Sequence, residues 1–145
     1  NHKVAAEFDT SATPEDRRTL RSFPSGLRNC YTLPTESGAK YLVRMVFLHG
    51  EYDGKTSPSF EVHLGSNYWD TFRNNDYWWS EAVFVAWASW VPLCLVNTGG
   101  GTPFISGLDL RPLKNKLYPL ANETQALVLL HRFNFGPTDS HTIIR

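Results

Sequence analysis

The sequence predicts an all-β protein, an antiparallel β-sandwich or jelly roll, and three observations carry that expectation. Apolar runs are short and recur at close intervals between turn residues. No segment sustains the three-and-four spacing of an amphipathic helix. Ten glycines and nine prolines are spread along the chain, where each would weaken or break a helix.

The elements follow in order. Residues 1–19 form a polar N-terminal segment, and TPEDRR at 13–18 reads as a surface loop or a short helical turn. Residues 41–48 (YLVRMVFL) are β-branched and aromatic, and EYDGK at 51–55 follows with a strong Asp53-Gly54 turn signal. Residues 60–64 (FEVHL) alternate apolar and polar with the period of a half-buried strand. Residues 82–96 are too long an apolar run for one ordinary strand, and Pro92 predicts a bulge or a change of sheet. The glycine-rich stretch NTGGGTP at 97–103 reads as a hairpin loop. Two further strands are expected in 104–113 (FISGLDLRPL) and 126–135 (ALVLLHRFNF).

Composition bounds what this chain can be. At 145 residues and 41% hydrophobic content it can bury roughly 70% of its unfolded surface, enough for one core. Fourteen basic and 14 acidic residues balance, which removes the electrostatic case for nucleic acid or an anionic membrane as partner. Low charge (19%) with high aromatic content (14%) argues against disorder. The run 82–96 is too short and interrupted to insert in a bilayer. The chain opens Asn-His-Lys, so a secretory leader is expected to be absent or already removed.

Two cysteines, Cys30 and Cys94, sit in strand-like runs. They are either buried free thiols or one disulfide, which would close a loop of about sixty residues and stabilise by roughly 4 kcal/mol. One N-glycosylation triplet is present, at Asn122-Glu123-Thr124. Both features point toward an oxidising, secretory compartment.

Catalytic chemistry finds little footing. His49-Gly50-Glu51 followed by His131 fits the pattern of a non-haem iron jelly roll, but Glu is uncommon there, and ordinary loop and strand residues account for the match. His2, His63 and His141 are scattered, without zinc spacing. The acidic residues Glu51, Asp53, Glu61 and Asp70 read as turn and surface groups. There is no Gly-x-Ser-x-Gly elbow, and NTGGGTP lacks the lysine and helix of a phosphate cradle. The expectation is a protein without catalytic residues, metal or cofactor.

Binding is better supported. Aromatic rings stack on the apolar faces of sugars while polar neighbours take the hydroxyls. Such pairings occur at Tyr52-Asp53, at Tyr68-Trp69-Asp70, and at Tyr77-Trp78-Trp79 after the polar 73–76. Trp78 and Trp79 are adjacent, so a strand cannot bury both on one face. Trp87 and Trp90 differ by an odd number, which in a regular strand puts them on opposite faces and at least one in the core. Core or edge packing is the competing role for every tryptophan.

Four blocks carry a resemblance to a known family: residues 20–33 (LRSFPSGLRNCYTL), 41–54 (YLVRMVFLHGEYDG), 60–69 (FEVHLGSNYW) and 92–113 (PLCLVNTGGGTPFISGLDLRPL). They resemble, in order and spacing, the malectin-like domain in the ectodomains of plant receptor-like kinases, especially those with leucine-rich repeats. The resemblance implies a carbohydrate-binding-module-like sandwich on the outer side of the plasma membrane, spanning residues 20–120. Residues 121–145 then supply a C-terminal strand and the start of a second malectin-like module. Members usually begin with further strands, so the chain looks like an N-terminally truncated slice. An uncovered sheet edge would favour a homodimer or a rearranged sheet. Tyr52 and Asp53 align with the aromatic glycan-contacting loop of animal malectin. The loop before the last strand, which supplies an acidic contact there, offers Asn97 and no carboxylate here. The implied partners are an oligosaccharide or cell-wall glycan, or alternatively a secreted peptide, a co-receptor or a second copy.

Overall fold

The computed structural model describes residues 1–54, 58–73 and 77–131. Its strands are β1 (His2–Lys3), β2 (Thr19–Ser22), β3 (Arg28–Pro34), β4 (Lys40–Phe47), β5 (Ser59–Leu64) and β6 (Asn67–Phe72). They continue with β7 (Trp78–Val85), β8 (Trp90–Gly100), β9 (Phe104–Ile105), β10 (Gly107–Leu113) and β11 (Leu127–Leu129). A 3-10 turn covers Glu15–Arg17. Two four-stranded antiparallel sheets, ordered β10-β4-β7-β11 and β3-β8-β5-β6, form the sandwich, and a small sheet β1-β2-β9 adds Leu20, Phe104 and Ile105 to the same core.

The all-β expectation holds, and burial explains the two kinds of strand. In β5, Phe60, Val62 and Leu64 are buried while Ser59, Glu61 and His63 are half-buried, the alternation read from FEVHL. In β4 alternation vanishes because both faces are covered. Val43, Met45 and Phe47 enter the main core, while Leu42 packs with Val83 and Ala121 on the opposite face. Phe47 anchors the centre, with ring centroids 5.2 Å from Phe72, 5.9 Å from Phe60 and 6.0 Å from Phe104. On the outer face of this sheet Arg44 and Glu81 are cross-strand partners, with Nε donating to Oε1 at 2.6 Å.

Three expectations need correction. The long run 82–96 does change sheet, but at residues 86–89 rather than at Pro92: β7 ends at Val85 and β8 begins at Trp90. Pro92 sits inside β8 at no cost because its carbonyl, and hence its missing N–H, points to the side where β5 has ended at Leu64. The stretch 97–103 is not a simple hairpin loop either. Asn97 to Gly100 continue β8, and Gly100 pairs with Ser59 so closely that a Cβ would lie 2.5 Å from the Ser59 carbonyl oxygen. The expected strand 104–113 is broken at Ser106 into β9 and β10, which belong to different sheets. Ser106 makes the bend by donating its N–H to the Val46 carbonyl and accepting the Leu48 N–H at its hydroxyl.

Residues 1–19 contribute β1 as well as the turn at Glu15–Arg17. Of the expected strand 126–135, Leu127–Leu129 form β11 on the β7 edge, and residues 132–135 lie outside the described residues, as do 55–57, 74–76 and the rest of 132–145. Cys30 and Cys94 face each other across β3 and β8 and are joined in a disulfide, with Cys30 exposed on the edge strand and Cys94 buried.

Candidate functional site

At one end of the sandwich three turns converge on a groove. The first, 86–89, joins β7 to β8 and is pinned at three of its four residues. Ala86 donates to the Ala39 carbonyl and accepts from Gly38, and Thr35 bonds the carbonyls of Ser89 and Ala88 through its N–H and hydroxyl. Trp87 lies within this turn and Trp90 directly follows it, and each is 52% exposed. The expectation that odd spacing buries one of them fails because the two do not share a strand.

The second turn, between β5 and β6, is held at one residue. Gly65 donates its N–H to the Pro92 carbonyl, and its own carbonyl accepts the Arg28 guanidinium at 2.7 Å. The Trp87 indole lies on Gly65: a Cβ there would be 2.8 Å from Cζ2, and φ is +65°. Gly65→Ala is expected to cost about 1–2 kcal/mol from the left-handed backbone alone. It should also displace the Trp87 ring. Denaturant midpoints and tryptophan emission check both effects; unchanged emission would mean that Gly65 does not seat the ring.

The third turn, 122–125, closes on itself through Asn122 N–H to Gln125 O and Gln125 N–H to Asn122 O. Its approach is fixed by buried Lys40, whose ammonium donates to the carbonyls of Asn115, Leu117 and Tyr118 at 2.8 to 3.1 Å. Ala121 is bonded back to Tyr118.

Between these turns lie two cavities of about 150 and 520 Å³ that share Asn67, Trp87 and Glu123 and so form one groove. Tyr68, 58% exposed, and Trp69 line the smaller part, and Trp90 lines the larger. The Trp69 indole N–H is buried and has no partner among the described residues. The groove therefore combines exposed aromatic faces with an amide, a carboxylate and an unused donor, on backbone that is already fixed. Ligand sites combine apolar surface with a few polar groups in this manner.

Of the ligand contacts expected from the sequence, Tyr68 and Trp69 come together here, beside Asn122 of the glycosylation triplet, whereas Tyr52, Asp53, Trp78, Trp79 and Asn97 do not line the groove. Trp78 is half-buried against Phe47 and Phe72. Trp79 points to the other face, where the Arg44 guanidinium lies 5.9 Å from its ring. The Arg17 guanidinium covers the Tyr77 ring at 3.8 Å, and burial raises that phenol's pKa while Arg17 and Arg44 oppose the shift. Asn97 uses its side-chain oxygen to accept the Gly99 N–H.

Tyr52 is half-buried, with its ring 4.7 Å from His2 and 5.0 Å from His49. Burial raises its pKa, and a hydrogen bond to Ser22 partly offsets the shift. Asp53 reaches His49, with Oδ1 3.7 Å from Nε2. His49 is 2% exposed and packs on Phe104. Among the described residues no group of three or more His, Cys, Asp or Glu side chains is gathered as a metal site.

Burial lowers the His49 pKa below its ordinary value, against the weaker pull of Asp53 and Glu51. A histidine more easily protonated when unfolded stabilises the fold fully above its unfolded pKa of about 6.5 and loses that contribution as pH falls toward the folded value. Melting temperature is therefore expected to drop from pH 7.5 to pH 5, with a smaller drop in His49→Phe. Equal slopes in the two proteins would assign the acid sensitivity elsewhere.

Asn67 and Glu123 were not read as ligand contacts in the sequence, and of Trp87 and Trp90 at least one was expected in the core. A signal for the tryptophans was there: a 15-residue apolar run is more than twice the length of an ordinary strand, so it has to turn, and Ala86, Ala88 and Ser89 cluster near its middle.

Fold and groove together define an antiparallel β-sandwich domain with a ligand-sized depression at one end. The chain belongs to the malectin-like family: the family model described as "Malectin-like domain" matches residues 1–145. It is 40% identical over 135 residues to a probable LRR receptor-like serine/threonine-protein kinase of Arabidopsis thaliana, At1g51810, covering 92% of this chain and 15% of that protein. It is 47% identical over 102 residues to the LRR receptor-like serine/threonine-protein kinase IOS1 of the same plant, covering 68% and 11%. The chain thus spans only a small part of the curated relatives it matches.

Among solved structures, plant receptor-like kinase ANX1 superposes with a TM-score of 0.64 at 14% identity, covering 79% of this chain and 34% of that one. The ANXUR2 extracellular domain from Arabidopsis thaliana gives 0.64 at 17%, covering 78% and 33%. A structure of the plant peptide RALF23 in complex with FER and LLG2 gives 0.55 at 16%, covering 78% and 35%. At these identities the superpositions speak for the fold. The resemblance read in the sequence is borne out.

Proposed function

We propose that this chain is a non-catalytic extracellular recognition module that takes an oligosaccharide, of cell-wall type, in the groove formed by Tyr68, Trp69, Trp87 and Trp90. The observation that carries this reading is the exposure of Trp87 and Trp90 on a turn whose carbonyls at 86, 88 and 89 are all hydrogen-bonded. Rings displayed on fixed backbone lose little freedom when a sugar stacks on them, and preorganisation of this kind strengthens binding. Asn67 and Glu123 lie beside the rings to take hydroxyl groups. The disulfide Cys30–Cys94 suits an oxidising, extracellular setting. Relatives named as receptor-like kinases support the same location.

A peptide or co-receptor is the second reading. It is favoured by the similarly folded complex of the plant peptide RALF23 with FER and LLG2. Exposed tryptophans serve protein interfaces equally well.

A glycan-array screen of the unglycosylated chain, with light scattering for its mass, separates the two. Saturable binding of one oligosaccharide class by a monomer is expected. No glycan signal together with a dimer, or with saturable capture of a secreted peptide, would overturn the sugar reading in favour of protein recognition.

A further inference from the structure

We infer that an N-linked glycan on Asn122 folds back into the aromatic groove and occupies it, so that the state of this one residue sets access for free ligands. The inference rests on the reading that the groove accepts sugar.

Asn122 is exposed and lines the smaller cavity together with Tyr68, Trp69 and Trp87. The attachment point and the stacking surfaces therefore share one depression of about 150 Å³. The triplet is also presented in a defined shape. The Asn122 side-chain oxygen accepts both the Thr124 N–H and the Thr124 hydroxyl, each at 2.9 Å. This leaves the Nδ2 nitrogen, the atom that carries an N-linked sugar, with only a long 3.4 Å contact to the Leu120 carbonyl among the described residues. The backbone of the turn is closed by the Asn122–Gln125 pair, so the origin of the glycan is fixed relative to Trp87.

Tethering decides which ligand wins. A ligand held by a short flexible link sits at an effective concentration on the order of millimolar. A free oligosaccharide held mainly by stacking has to exceed that concentration to displace it. Glycosylation at Asn122 would thus act as a built-in competitor, and its absence would open the groove. Glu123, the middle residue of the triplet, lines both parts of the groove and is placed to bond the attached sugar's hydroxyls.

The test uses the full 145-residue chain secreted from a glycosylating host, compared with Asn122→Gln and Thr124→Val. Intact mass gives occupancy, tryptophan emission reports the groove, and titration with the best array oligosaccharide gives affinity. Removing the glycan enzymatically leaves an aspartate, so Asn122→Asp is the matched control.

We expect an occupied Asn122, a red shift of tryptophan emission when the glycan is absent, and at least roughly tenfold tighter binding of free oligosaccharide. Trp87→Ala should abolish the emission difference between glycoforms. An unoccupied Asn122 overturns the inference. So does an occupied one whose glycoforms match in emission and affinity, an outcome that leaves the proposed function intact. If no form binds free sugar but emission still shifts through Trp87, the tethered occupant stands and the free-ligand reading fails.

Discussion

Replacing both Cys30 and Cys94 by serine is expected to lower the stability of the domain by about 4 kcal/mol, the largest single effect in this chain. The two residues are 64 apart in sequence, so the bond closes the connections of the β3-β8-β5-β6 sheet into one loop. In the chain-entropy account a loop of that size restricts the unfolded chain by roughly 4 kcal/mol. A domain of this length has only about 5–15 kcal/mol in hand. The double variant should therefore unfold at far lower denaturant concentration. Because Cys30 is exposed on the edge strand β3, reductant should reach the bond in the folded protein and produce the same loss. Matched urea curves for the oxidised, reduced and double-serine proteins are the measurement. A difference below about 1 kcal/mol would show that the β3–β8 pairing, seven residues in register from Arg28–Val96 to Pro34–Trp90, already restricts the chain without it.

Trp87→Ala should weaken oligosaccharide binding by roughly thirtyfold, about 2 kcal/mol, in the unglycosylated, disulfide-bonded chain. Trp87 lines both parts of the groove and is held from below by Gly65, so its removal takes away the surface on which a ligand would rest. Stability should change far less, since half of the side chain already faces solvent. Trp90→Ala should weaken binding to a smaller extent, because Trp90 lines the larger part alone. Tyr52→Phe is the informative contrast. Its ring packs between His2 and His49, away from the groove residues, so affinity should stay within about twofold of the parent. Titration of one oligosaccharide against the three variants, with circular dichroism for the fold, checks the ranking. Loss in Tyr52→Phe with binding retained in Trp87→Ala would move the site to the loop at 50–54.

Some of this was legible in the chain itself. The period of FEVHL placed Phe60, Val62 and Leu64 in the core because the residues of a half-buried strand face solvent and interior by turns. The β-branched and aromatic run at 41–48 marked a strand, but that both of its faces are covered emerged only with the fold. The paired cysteines admitted a disulfide but could not require one, since only strand register brings Cys30 opposite Cys94. Similarly, four sequence blocks were enough to indicate the malectin-like family, which the match over residues 1–145 bears out.

The groove was not legible, for a physical reason. Trp87 and Trp90 belong to an apolar run that looks like core from end to end, and periodicity says nothing about where a run folds back. That point is set by contacts distant in sequence: Thr35, Gly38 and Ala39 take the hydrogen bonds of residues 86–89, and Gly65 leaves room for the Trp87 ring. Asn67 and Glu123 join them from two other turns, the second held in place through the reach of Lys40 to residues 115–118. The sequence by itself determined that the chain builds from short strands and, where the alternation is clear as at 60–64, which side of the strand is apolar, because those follow from local geometry and the cost of wetting apolar surface. Only the tertiary structure decided which aromatic rings remain in water and which turns meet, because exposure belongs to the assembled surface and no single segment encodes it.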